Sequence, residues 1–535
     1  MLNEQQQKAV DSNSKHILCL AGAGTGKTHC MLSRISRIVD DGISTYNMLV
    51  LTFTNAAAAE MELRYKRDHK NQLTPNFCTF HSFCYNLIIE NDDIRNKIGY
   101  KDKPTVPIDS TLKNIRTNIK LRYHITLSDA KLDGNKALKY NEQFQYDLYR
   151  KQFISYLKSN NYITFDMMCY DVCKLFSDND ESILPYKDRY TYIFVDEFQD
   201  TDPKQWEFIK SFDNANIFIV GDVKQAIYAF RGADSSIIKS IAKNPEYETI
   251  KLIHNYRSTK QICDYSNKIG SYKDLDYVID LESDIYGPEV TVKPGIPTQY
   301  QNEHLTKLLT KLKSKLDGNM TLALIARTNK EVKVIRDTLN SIGIEFNSNG
   351  DSGNYEYILR SALDEEYALM WLLSKLSIDK YTEYIRYSSL KDDKSLEGFI
   401  SLYGLEPNID YYYRKICDVK SIFKSDQLSF SKCYSILNIL GIKDKIVSIY
   451  QDMTDEEIVN YLVNICGETD SSNCLYVGTI HSVKGLEYDT VMLFGVQSKS
   501  FQLNNEENEN LYYVGCTRAK KNLVVYMGEP SNFRG

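Results

Sequence analysis

Short unbroken apolar runs alternate with longer amphipathic stretches along this chain. Ile17-Leu18-Cys19-Leu20, Met48-Leu49-Val50-Leu51, Tyr192-Ile193-Phe194-Val195 and Ile217-Phe218-Ile219-Val220 lack the polar alternation of a half-exposed strand. Such runs predict strands buried on both faces of a parallel sheet. Helical patterns cover Leu2–Val10, Met31–Val39 and Ala56–Arg64. Further on, Leu322–Ala326 reads as a strand and Glu331–Leu339 as a helix. Leu475–Val477 and Val491–Phe494 are strands, Asn504–Asn510 an acidic turn, Leu511–Arg518 a helix that carries Arg518, and Leu523–Tyr526 the last strand. Residues 87–186 and 351–469 lose the strand pattern. Leu112, Ile115 and Ile119 recur there at helical spacing, and Trp371, Leu372 and Leu373 read as core. The pattern is α/β, with two parallel-sheet regions each interrupted by a mainly helical insertion.

Composition changes this picture only at its edges. A chain of 535 residues is too long for one core. A net charge of -6 excludes a polycation, so any nucleic-acid binding must use a local groove. None of the 12 cysteines forms a Cys-x-x-Cys pair. Cys169 and Cys173 are the closest two, and the absence of a second such pair argues against zinc or an iron–sulfur cluster. Unpaired thiols, a polar start at Met1–Gln7 and no run of about 20 apolar residues lead us to expect a cytoplasmic protein with no membrane contact.

The chemistry gathers at strand ends. After the first strand comes Ala21-Gly22-Ala23-Gly24-Thr25-Gly26-Lys27-Thr28. Glycines let backbone amides approach a phosphate, and the following helix N-terminus adds positive charge. Lys27 is placed for the β- and γ-phosphates of ATP, and the Thr28 hydroxyl for Mg²⁺. Ala21 stands where the usual pattern has glycine. After the strand Tyr192–Val195, Asp196 is placed to hold Mg²⁺ through water and Glu197 to orient or deprotonate an attacking water. After Ile217–Val220, Gln225 can bond a γ-phosphate or its water, Arg231 can reach phosphate, and Tyr228 and Phe230 offer faces for base stacking. His81 follows another strand-like run, a position that favours a site over a core histidine. A glutamine within Leu2–Val10 has the donor and acceptor that adenine presents, although a solvated turn is the blander reading.

In order and identity these motifs resemble superfamily 1A DNA helicases, the UvrD/Rep/PcrA-like group, in a compact form such as a phage-defence helicase subunit. The resemblance implies two RecA-like domains of the P-loop NTPase type. Domain 1A would span 1–86 and 187–262, with ATP bound to it and a helical insertion 1B at 87–186. Domain 2A would span 263–350 and 470–535, with a compact insertion 2B at 351–469. It also implies roles by position. Gln6 would read adenine, Tyr256 pack on it, and Glu487 contact the ribose. Ala21, Gly22, Ala23, Gly24, Thr25, Gly26, Lys27 and Thr28 would form the phosphate loop. Asp196 and Thr28 would serve the metal, Glu197 catalysis and Gln225 γ-phosphate sensing. Arg257 and Arg518 would neutralise transition-state charge. Phe53, Asn55, His81, Tyr228, Phe230, Thr479 and His481 would line a single-strand path.

The activity expected is ATP-driven translocation on single-stranded DNA and unwinding at single/double-strand junctions. The direction implied by the family is 3′ to 5′, and the settings are repair, replication or defence. The competing reading is a nucleotide-gated DNA-sensing subunit that licenses a partner nuclease on another chain and unwinds little. A small-molecule P-loop kinase has no need of the distant second α/β region.

Overall fold

The computed structural model describes residues 2–69, 73–107, 109–132, 142–270, 275–294, 320–344, 475–498 and 500–528, with a few short pieces between 306 and 421. Trp371, Leu372 and Leu373, and nearly all of the expected insertion 351–469, lie outside the described residues. Two compact units divide the chain: 1–296 with 483–535, and 297–482.

The first unit is built on a six-stranded sheet. Its strands are β1 (His16–Ala21), β2 (Met48–Thr52), β3 (Asn76–Thr79), β4 (Tyr192–Val195), β5 (Asn216–Gly221) and β6 (Glu248–Leu252). The order is β3-β2-β4-β5-β1-β6, and every pairing is parallel. Strands β1 and β2 are buried along nearly their whole length, which is why their sequences carry no alternation. One face packs under α1 (Glu4–Asp11), α2 (Lys27–Asp40) and α3 (Asn55–Asp68), where Ile17, Cys19, Met31, Ile35, Val50, Phe194 and Phe218 share a core. α4 (Phe80–Glu90) brings Phe80 and Phe83 into an aromatic cluster with Phe176, Phe208 and Phe212, at centroid distances of 4.7–6.3 Å. Residues 87–186 carry helices and no strand among the described residues. The helices Asp109–Arg122 and Gln143–Ser159 close on Ile115, Ile119, Tyr149 and Leu157.

Strands β7 (Thr291–Lys293), β10 (Tyr488–Val496) and β11 (Ala519–Met527) pair in parallel, with β11 between the other two. In the second unit β8 (Leu322–Ala326) pairs in parallel with β9 (Leu475–Thr479). The helix Asn329–Ser341 follows β8. Thr328 and Glu331 form a capping box at its start, and Val332, Ile335 and Leu339 are buried.

One expectation is corrected. The helix expected over Leu511–Arg518 runs over Glu506–Cys516, so residues assigned to an acidic turn form its first turns. The Asn505 side chain caps it by accepting from the Asn508 N–H, and Glu506, Glu507 and Glu509 sit where the helix dipole favours negative charge. Arg518 stands beyond the helix, in the turn before β11, rather than on it.

α1 is held at both ends. Asn3 and Gln6 form a capping box at its start. At its end the buried Arg34 guanidinium donates to the carbonyls of Ala9, Val10 and Ser12 at 2.8–3.0 Å. Among the described residues no helix is long and apolar enough to cross a membrane.

Replacing Arg34 with Met keeps the stem but strips the Ala9 carbonyl of its side-chain donor and leaves those of Val10 and Ser12 only the longer 3.4 Å bonds from Arg37. The expected cost is roughly 2–4 kcal/mol. It should be read as a lower thermal midpoint with hydrogen-exchange protection lost first in α1.

Candidate nucleotide site

Parallel sheets place ligands beyond their carboxyl ends, and here five strands end together. Ala21 ends β1, Thr52 ends β2, Asp196 follows β4, Asp222 follows β5 and His254 lies just past β6. They open onto a cleft of about 960 Å³ whose lining includes Ala23–Thr28, Phe53, Asp196, Glu197, Gln225, Tyr228, Tyr256, Arg257, Glu487 and Arg518. All of these belong to the first unit.

The phosphate loop wraps the start of α2. Gly26 precedes Lys27 at φ 80° and Gly24 turns at φ 71°, conformations that a side chain resists. A Cβ on Gly24 would lie 2.8 Å from both the Arg257 Cβ and the Asn255 side-chain amide. Thr25 closes the loop by donating to the Gly22 carbonyl at 2.9 Å. Ala21 is fully buried at the end of β1, so this position asks for a small core side chain and not for glycine. Ala21, Gly22 and Gln6 are not part of the cleft lining. Gln6 backs the loop from behind, donating to the Thr25 carbonyl at 2.9 Å.

Charge is arranged tightly. The Lys27 ammonium faces Glu197 at 3.3 Å. Glu197 takes a left-handed conformation, φ 50°, and accepts from the Gln199 amide. Burial and the neighbouring Glu197 charge push the Asp196 carboxyl up to about 7. Burial also acts against the Glu197 charge, yet Lys27 and Lys484 hold that group down to about 2. Burial opposes the Lys27 charge as well, and Glu197, Asp222 and Asp196 together keep its affinity for its proton raised. Gln225 is buried, with its side-chain amide donating to Asp222 at 2.8 Å.

Arg257 donates to Glu487 at 2.7 Å, and Lys520 meets the other oxygen of that carboxylate at 2.9 Å. Arg518 is buried and donates to the Val514 carbonyl at 3.0 Å; burial and the nearby Arg257 pull it down to about 9. Tyr256 is half-exposed and accepts from Asn3 at 2.8 Å.

The aromatic residues form a row. Phe53 stacks on Tyr228 at 5.0 Å and 15°, and Phe230 follows at 5.9 Å with much of its surface open. Arg231 lies 5.0 Å over the Tyr228 ring. Asn55 opens α3. His81 lies apart from the cleft lining, on α4, with its ring edge-on to Phe165 at 5.8 Å. Thr479 and His481 belong to the second unit, at the end of β9 and just after it.

Three residues that sequence reasoning missed are conspicuous here. Asn255 is buried; it donates to the Ala23 carbonyl at 2.6 Å and accepts from the Arg257 and Ser258 amides at 2.8 and 2.7 Å. It thereby ties the phosphate loop to the arginine segment. Its signal was an asparagine two residues before the arginine, the spacing of an Asx turn. Lys484 pairs with Asp200, donates to the Gln225 carbonyl at 3.0 Å and lies 4.7 Å over the Tyr228 ring. Thr52 was legible only as the polar end of an apolar run.

The donor set suits a nucleotide with a divalent cation. An ammonium, helix N-terminal amides, the Thr28 hydroxyl and a buried carboxylate line one cleft, and among the described residues the buried Asp196 Oδ1 and Thr52 Oγ1 have no hydrogen-bond partner. Among the described residues no group of three or more His, Cys, Asp or Glu side chains could hold a metal without such a ligand.

Asp196 also makes a stability prediction. Between pH 3.8 and about 7 the unfolded chain has released this proton while the folded chain keeps it. Folding stability therefore falls as pH rises through that window. Asp196→Asn should raise the thermal midpoint of the nucleotide-free protein at about pH 8, and the gain should vanish toward pH 4. A midpoint unchanged or lowered at the higher pH would contradict the buried-charge reading.

Comparison with known proteins gives this cleft a lineage. Residues 2–246 match the UvrD/REP helicase N-terminal domain, and residues 250–356 with 405–529 match the UvrD-like helicase C-terminal domain. The ATP-dependent DNA helicase PcrA of Staphylococcus epidermidis is 25% identical across 98% of this chain and 83% of its own length. The ATP-dependent DNA helicase PcrA of Staphylococcus aureus is 26% identical with the same coverage. The two domain matches follow one another and take in most of the sequence, and the chain belongs to the UvrD/REP helicase family.

Proposed function

We propose that the protein is an ATP-dependent translocase on single-stranded DNA that unwinds single/double-strand junctions in the 3′ to 5′ direction. The observation that carries this reading is one cleft whose lining holds both Lys27, Asp196, Glu197, Gln225, Arg257 and Arg518 and the stacked Phe53 and Tyr228. Kinship with the PcrA helicases supports it. The four-part division into 1A, 1B, 2A and 2B at the boundaries given above belongs to the same proposal, as does service in repair, replication or defence.

Thr28 and Asp196 would hold Mg²⁺, and the phosphate loop with Lys27 would hold the triphosphate. The bound metal would supply Lewis-acid stabilisation of charge on the phosphates. Glu197, ionised at neutral pH beside Lys27, takes the proton of the attacking water or orients it. Arg257 and Arg518 add positive charge where the transferred phosphoryl develops negative charge. Arg257 must first leave Glu487, which frees one oxygen of that carboxylate for the ribose while Lys520 holds the other. Gln225 and Tyr228 lie three residues apart on one loop, and Lys484 touches both. A change at the γ-phosphate therefore reaches the stacking row within one side chain. Bases stacked on this row contribute about 1–3 kcal/mol each, enough for alternating grip as the site opens and closes.

Lys27→Ala should abolish ATP hydrolysis stimulated by single-stranded DNA while binding of the strand persists; full turnover would sink the assignment. Phe230→Ala should keep hydrolysis and lose most of its stimulation by DNA, measured as a ratio of rates with and without the strand. Duplexes with a 3′ tail, a 5′ tail or blunt ends test activity and polarity together. Strand separation confined to the 3′-tailed duplex is the expected result. ATP turnover with no separation of any substrate would favour the subunit that licenses a partner nuclease.

A further inference from the structure

The helix Glu506–Cys516 turns one face toward the segment that carries Gln225, Tyr228 and Phe230. Glu506, Asn510 and Tyr513 are spaced four and three residues apart, which places them together on that face. Glu506 accepts from the Lys239 ammonium at 2.6 Å and from the Ser235 hydroxyl at 3.4 Å, both on the helix Ser235–Ile241 that follows the segment. Asn510, one turn further on, is buried and donates to the Val223 and Ala226 carbonyls at 3.2 and 3.0 Å. The Lys224 ammonium lies 5.4 Å over the Tyr513 ring. One helix face therefore holds the segment at both ends, with Tyr228 and Phe230 between. All of these residues belong to the first unit.

We propose that this face braces the sensing loop and that Asn510 is its positioning residue, fixing the Gln225 turn where the Gln225 amide can follow a γ-phosphate. The role rests on the reading of Gln225, Tyr228 and Phe230 given above. A primary amide nitrogen has two N–H groups, and here they meet two carbonyls three residues apart. Lys484 takes a carbonyl between them, that of Gln225, at 3.0 Å. The turn is thus gripped through its backbone. Its side chain stays able to change partner: the Gln225 amide now donates to Asp222 at 2.8 Å, and it can leave that carboxylate without the turn moving.

The Val223 carbonyl also closes the turn by accepting from the Ala226 amide at 3.2 Å, so Asn510 bears on the turn's own hydrogen bond. The bond from Asn510 to Val223 is buried and that to Ala226 partly so. A covered carbonyl that loses its donor has no water in reach, and the turn must shift to find one. A functional side chain is only as well placed as the groups that hold its backbone. Held at both ends, the segment passes a displacement at Gln225 on to the stacking row instead of absorbing it by local unwinding.

The test compares the full-length parent with Asn510→Leu, which keeps the size and removes both donors, and Asn510→Ser, a milder change that keeps one. Amide hydrogen exchange of the nucleotide-free chain is read first. Exchange over Val223–Arg231 should quicken about tenfold in the leucine variant and by less in the serine variant, while exchange over α1 stays at the parent's value. ATP turnover with single-stranded DNA is read second. In the leucine variant kcat should fall about tenfold and KM for ATP should stay within about twofold, because the phosphate loop is untouched. The serine variant should again lie between. Unchanged exchange over Val223–Arg231 in both variants would overturn the brace. Exchange that quickens equally in α1, or a raised KM with kcat kept, would reduce Asn510 to a general packing role and overturn its positioning role. A parent without DNA-stimulated turnover would sink the helicase reading instead, and the exchange measurement would still decide the brace.

Discussion

One buried ammonium governs the cleft. Lys27 sits among Asp196, Glu197 and Asp222, whose negative charge offsets the cost of burying it. The ammonium is set by backbone geometry before any side chain is considered. Gly24 and Gly26 turn the chain so that Lys27 begins α2, and Asn255 clamps the turn from the far side. The two acids then divide their roles by position. Glu197 lies against Lys27 and stays ionised, while Asp196 is left with burial and a like charge. Two neighbouring carboxyls with opposite tendencies are what a site needs if one is to act as a base and the other is to wait for a cation.

Much of this was legible in the sequence because parallel sheets write themselves plainly. Burial on both faces forces continuous apolar runs, and ligand chemistry must then fall on the first polar residues after them. Asp196 and Glu197 were found by that rule, Gln225 from the loop that follows such a run, and Lys27 and Thr28 from the glycine-rich pattern after one. Arg257, Glu487 and Arg518 were not; they came from resemblance, because their meeting with the loop depends on long-range packing. Helix ends were less legible. The run Glu506–Glu509 looks like a solvated turn by composition, yet the Asn505 cap and the helix dipole make it a helix start. Asn255 and Lys484 escaped notice for a different reason. Their importance lies in which carbonyls and carboxylates they reach across the fold, and nothing local in the sequence announces a partner more than 200 residues away.

The aromatic row and the cleft share a wall. Phe53 leaves the end of β2 and Tyr228 the loop after β5, so both rings are carried by strands of the nucleotide sheet itself. His81 was grouped with them by resemblance, but its ring stands edge-on to Phe165 instead. The helix that bears it packs against the helix Phe165–Ser177.

The Arg257–Glu487–Lys520 triad has a consequence for selectivity. A cleft with bare arginines would collect any small anion, and inorganic phosphate or sulfate would compete with nucleotide at every encounter. Here the arginine is already matched to a carboxylate. A lone anion must displace Glu487 and leave it to Lys520 alone, whereas under the proposed roles a nucleotide brings both an anion for the arginine and hydroxyls for the displaced acid. On the proposed roles, the resting cleft favours a ligand that offers two functional groups at once.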